Sequence, residues 1–154
     1  GLLQVQLPGR FQILPGQPTV ILDVAHNPHA AAVLADNLGN MGFHPYTYAV
    51  FGMLSDKDID GVVEKLKGRV DHWLCAGLPG PRGLSGEALA ERLRALGVPE
   101  GKDNSITAYN NPGDAYAAVE ARAGEGDRIL VFGSFLTVAG VLSYQREAKA
   151  ARHA

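Results

Sequence analysis

Three short stretches of this chain carry side chains that could do chemistry. Asp23-Val24-Ala25-His26-Asn27-Pro28 puts a carboxylate, an imidazole and an amide just after an apolar run. Asp23 could accept hydrogen bonds from ribose hydroxyls, as acidic residues at strand ends do in nucleotide folds. His26 could take a proton from an attacking amine. Asn27 before Pro28 reads most simply as a helix N-cap, and a helix N-terminus also attracts carboxylates or phosphates. In Asp56-Lys57-Asp58 a cation sits between two carboxylates. Lys57 is either a locally paired surface cation or an anion contact, and Asp56 and Asp58 would orient the loop or cap the next helix. Gly133-Ser134-Phe135 offers a hydroxyl and backbone amides that could cap a helix or hold a carboxylate. Two arginines lie in Pro/Gly contexts, Pro8-Gly9-Arg10 and Gly80-Pro81-Arg82. The Arg10 guanidinium could grip a phosphate bidentately; Arg82 is a weaker candidate.

Elements must position these residues, and their pattern is regular. Short β-branched runs alternate with Ala/Leu-rich stretches. The expected strands cover 18–24, 46–51, 71–76, 105–109 and 127–132. The expected helices follow Asn27-Pro28, cover 59–66 and 87–96, run from Pro112 to about 123, and end with a short one at 136–142. Five β-then-α units in succession predict an α/β fold, a mostly parallel, Rossmann-like sheet with helices on both faces. Residues 1–17 read as an arm in which 11–14 could add an antiparallel edge strand, 18–143 as the domain, and 144–154 as a charged, Ala-rich tail, either an exposed helix or a frayed end. Ligands in such sheets bind beyond the carboxyl ends of the strands, where all the residues above fall except Arg10.

Composition sets bounds. The 154 residues are 46% hydrophobic and 19% charged with net charge -2, which excludes wholesale disorder and lacks the basic excess of a broad nucleic-acid-binding face. No apolar run approaches a membrane span of ~20 residues, and the first residues lack signal-peptide character. Cys75 is the single cysteine, so neither a disulfide nor a cysteine-based zinc site can form within the chain, and a cytoplasmic location is expected. Cys75, Trp73 and Phe132 read as packing residues. There is no G-x-x-x-x-G-K-[ST] phosphate loop, no G-x-G-x-x-G after the first strand and no G-x-S-x-G elbow. His26 and His29 lie three apart without a third ligand at a recognisable spacing, so no metal site is assigned.

Taken together, Pro8-Gly9-Arg10-Phe11, Asp23–Pro28, Phe51-Gly-Met-Leu-Ser-Asp-Lys-Asp58, Gly80-Pro81-Arg82-Gly83 and Gly133-Ser134-Phe135 resemble the C-terminal domain of the Mur ligase superfamily, above all its bacterial folate branch. The likeness runs from Pro8 to about Leu142. It implies an ATP-dependent ligase that activates a carboxylate as an acyl phosphate, which the amine of L-glutamate then attacks. Dihydropteroate or folates are the implied acceptors. It also implies that the phosphate loop, the Mg2+ ligands and most of the acceptor pocket belong to a domain outside these residues. This chain would then be a monomeric protein's glutamate-binding, ATP-closing domain, inactive alone. By resemblance Arg10 and Asp23 contact ATP at its phosphates and ribose. His26, Asn27, Lys57 and Ser134 hold glutamate, with His26 and Lys57 nearest the chemistry. Two alternatives stand beside it. One is a binding module for a nucleotide or amino acid, without catalysis; the other is a peptidoglycan-precursor ligase domain.

Overall fold

A computed structural model describes residues 11–152, so Arg10 and its Pro-Gly-Arg motif lie outside the described residues. The strands are β1 (Gln12–Leu14), β2 (Thr19–Leu22), β3 (Thr47–Phe51), β4 (His72–Ala76), β5 (Ser105–Tyr109) and β6 (Arg128–Phe132). The helices are α1 (Pro28–Gly39), α2 (Ile59–Leu66), α3 (Gly86–Ala95), α4 (Pro112–Arg122) and α5 (Phe135–Arg152). The strands form one sheet in the order β1-β2-β6-β3-β4-β5. Every pairing is parallel except that of β1 with β2, so the arm does add an antiparallel edge strand.

The near-continuous apolar runs explain the middle of this sheet. All five residues of β3, β4 and β6 are buried, as strands covered on both faces must be. Phe51, Trp73, Cys75 and Phe132 pack with helices α1, α2 and α3 on one face. Val50, Leu74 and Val131 pack with α4 and α5 on the other. Helix α1 buries Ala31, Leu34 and Leu38, a stripe at helical spacing. Full burial of a leucine such as Leu34 is worth about 1.5–3 kcal/mol. Burial pushes the Cys75 thiol up to about 12, which fits a packing residue rather than a nucleophile.

Caps fix where the helices begin. Asn27 accepts the Ala30 amide at 2.8 Å and Pro28 opens α1. Asp58 caps α2 through the Gly61 amide at 3.0 Å, and Ser85 and Asn111 do the same for α3 and α4. One expectation changes shape. The short helix at 136–142 and the tail from Tyr144 form a single helix, Phe135–Arg152. Tyr144 packs edge-on against Tyr116 with centroids 5.8 Å apart, and its hydroxyl donates to Glu120 at 3.0 Å. Those contacts hold the helix against α4 beyond the expected stop.

Candidate functional site

The chain fills β2, β3, β4 and β5 with its helices on one face. It then returns with α4 on the other face and inserts β6 between β2 and β3. Crossovers of one hand require the helices to change face when the direction reverses. Helices α1 and α5 therefore leave neighbouring strands, β2 and β6, toward opposite faces. A crevice opens between them, at the kind of switch point where doubly wound sheets bind ligands.

A cleft of about 450 Å³ lies there, lined by Val24, His26, Leu54, Lys57, Arg82 and Gly133–Leu136. Its walls come from the loops after β2, β3, β4 and β6. His26, Lys57 and Ser134, three of the residues expected to act together, meet in it, and Arg82 joins them. The His26 ring sits 2.9 Å from the Val24 carbonyl through Nδ1. A carbonyl only accepts, so Nδ1 carries the hydrogen, and the tautomer this contact selects has its lone pair on Nε2. The nearly buried Ser134 caps α5: its Oγ accepts the Leu136 amide at 3.1 Å. The serine hydrogen remains to be donated.

The turn that presents Ser134 depends on glycine. Gly133 has φ +111°, and a Cβ there would press on the Gly52 carbonyl oxygen. That same oxygen accepts the buried Thr137 hydroxyl at 3.0 Å. The ends of β3 and β6 and the first turn of α5 are thus clamped together beneath the cleft.

Two expected residues stand apart from the lining. Asp23 follows β2, its backbone N–H bonded to the Val131 carbonyl at 3.0 Å and its Oδ1 accepting the Ala25 amide at 2.8 Å. Burial raises its carboxyl to about 6 despite that amide. Asn27 lies one residue past the cleft, with its side-chain oxygen engaged in the α1 cap. The cleft also recruits Val24, Leu54, Phe135 and Leu136, which the sequence did not single out. Phe135 is 61% exposed beside the cleft. Its position directly after Ser134 was the available signal. A larger groove of about 630 Å³ lies across Leu136, between the loop after β4, the start of α4 and α5. It holds no imidazole or cation, so the smaller cleft is the chemical candidate.

Asp23 offers a carboxylate of the kind a ribose hydroxyl needs, and Lys57 and Arg82 offer cations for anionic groups. Among the described residues no group of three or more His, Cys, Asp or Glu is placed to hold a metal ion. Nor is any helix among them long and apolar enough to cross a membrane.

The fold and this cleft define a ligase-type α/β domain: residues 9–135 match the family model described as Mur ligase, glutamate ligase domain, and the chain belongs to that family. Its relatives are more particular. The chain is 44% identical over 142 residues to dihydrofolate synthase/folylpolyglutamate synthase of Escherichia coli K12, covering 92% of this chain and 31% of that protein. Among solved structures, E. coli FolC in complex with DHPP and ADP superposes with TM-score 0.79 at 44% identity, over 96% of this chain and 32% of that one. A bifunctional folylpolyglutamate synthase/dihydrofolate synthase with Mn, AMPPNP and L-glutamate bound superposes with TM-score 0.77 at 42% identity, over 90% and 32%. The chain thus spans about a third of the length of the relatives it matches.

Proposed function

We propose that this domain supplies the amino-acid side of an ATP-dependent amide ligation, joining L-glutamate to dihydropteroate or folates. The observation that carries the reading is the cleft at the switch point. Three separate loops deliver an imidazole, an ammonium and a serine hydroxyl to one place, and the N-terminus of α5 opens beside them. A dicarboxylate amino acid needs those groups. Lys57 pairs with a carboxylate, and Ser134 donates to one at the helix start. The Nε2 of His26 is free to accept a proton from the attacking amine. The match to a glutamate ligase family and to relatives named for folate substrates supports the choice of substrates.

The chemistry supplied by bound ATP is activation of the acceptor's carboxyl. This chain's part toward the nucleotide is positioning. Asp23 meets the ribose, Arg10 the phosphates, and the domain closes over both. Asn27 uses one lone pair of its oxygen as a cap, and toward a glutamate carboxylate it would donate through its amide nitrogen. Magnesium and most of the acceptor would be held by a further domain, with the whole acting as a cytoplasmic monomer.

The test is Lys57→Ala in a full-length ligase carrying this domain. KM for glutamate should rise about tenfold or more, the scale of a lost charge-assisted hydrogen bond, while KM for ATP changes far less. An equal rise in both would reject the glutamate assignment.

A further inference from the structure

The string Gly80-Pro81-Arg82-Gly83 has no part in the function above, yet its arginine lines the cleft. Its surroundings show what it does. The loops after β3 and β4 are fastened along their length. Ser55 N–H donates to the Arg82 carbonyl at 2.7 Å, and Leu84 N–H donates to the Met53 carbonyl at 3.3 Å. Leu54 and Gly83 form an antiparallel bridge. Gly83 lets the loop after β4 fold back closely on itself, because a Cβ there would collide with the Leu78 carbonyl. Among the described residues, the side-chain ion pair between these loops is Arg82 Nη1 to Asp56 Oδ2, at 3.0 Å.

This gives the Asp56-Lys57-Asp58 triplet a physical division of labour. Asp58 ties one side of the lysine to the first turn of α2. Asp56 ties the other side to Arg82. Lys57 N–H closes a turn onto the Leu54 carbonyl at 3.2 Å, which leaves the ammonium as the group presented to the cleft. A lysine on an untethered loop would lose more conformational freedom on meeting an anion, and tethering both flanks reduces that loss.

We propose that Arg82 is a positioning residue for the amino-acid step: through Asp56 it straps the Lys57 loop to the loop after β4 and so holds the ammonium over the cleft. The proposal rests on the reading of this cleft as the amino-acid site. Arg82 and Asp56 side chains are 62% and 46% exposed, so the strap is solvent-screened and its effect modest.

Steady-state kinetics of a full-length ligase carrying this domain test it. Arg82→Met and Asp56→Asn should each raise KM for glutamate by about two- to fivefold, the range of an exposed ion pair. Neither should move kcat at saturating glutamate or KM for ATP. The double variant should be no worse than either single one, and Arg82→Lys should stay near the parent. A rise with Arg82→Met and none with Asp56→Asn would overturn the strap, because Arg82 would then meet the substrate itself. Additive effects, or equal changes in both KM values, would also overturn it. If Lys57→Ala leaves KM for glutamate unchanged, the amino-acid reading of the cleft falls and the strap with it. A normal Lys57 response with silent Arg82 and Asp56 variants removes the strap alone.

Discussion

The surroundings of Asp23 oppose ionisation of its carboxyl. Its carboxyl is raised to about 6 because burial disfavours the ionised form more than the Ala25 amide favours it. Perturbed groups of this kind concentrate at functional sites. The sign of the linkage follows. A carboxyl raised in the folded state favours folding below its ordinary value near 3.8, and that contribution is lost as pH rises through about 6. Asp23→Asn cannot titrate. Its melting temperature should therefore gain on the parent's between pH 4 and pH 7, with the gap level above about pH 7. Thermal unfolding at pH 4, 5, 6 and 7 measures this, and a gap constant with pH would refute it. At this scale the sequence pointed to residues that meet in one cleft but not to their partners. Lys57 and Ser134 were legible because each follows an apolar run. The pairing of Asp56 with Arg82 was not, because the two lie 26 residues apart. Asn27 was read both as cap and as ligand, and the structure fills its oxygen with the cap.

At the scale of elements, the glycine between β6 and α5 decides whether the crevice has a floor. Gly133 combines a left-handed backbone with close approach to the Gly52 carbonyl. Gly133→Ala should cost about 1–3 kcal/mol from the backbone conformation alone, a fall in melting temperature of roughly 2–12 °C. Gly68→Ala, at a glycine with open space around it, is the control and should stay close to the parent. Equal melting temperatures for the two variants would contradict the clamp. Helix and strand positions were legible because period and caps agree. The expected helix 59–66 matches α2, where Asp58 marks its start. The end of α5 was not legible. Charged residues after Tyr144 resemble a tail until Tyr116 and Glu120 on α4 give Tyr144 something to hold.

At the scale of the whole molecule, the proposed function gives the domain one side of a reaction, and its sequence carries no G-x-x-x-x-G-K-[ST] phosphate loop. The 154-residue chain incubated with ATP, Mg2+, L-glutamate and dihydropteroate should form no dihydrofolate above background. A full-length ligase containing it should form product in the same assay. Product from the 154-residue chain alone would overturn the division of labour proposed here. What the sequence by itself determined is the alternation of strand and helix, the caps, and the strings that mark the family. These are set by local periodicity and local chemistry, which a linear chain displays directly. Only the tertiary structure decided that β6 inserts between β2 and β3, and hence that the loops after β2, β3, β4 and β6 converge. That insertion depends on β6 pairing with two strands far back in the chain, Thr19 with Arg128 on one side and Thr47 with Arg128 on the other. The cleft is a product of that long-range choice, which no local pattern records.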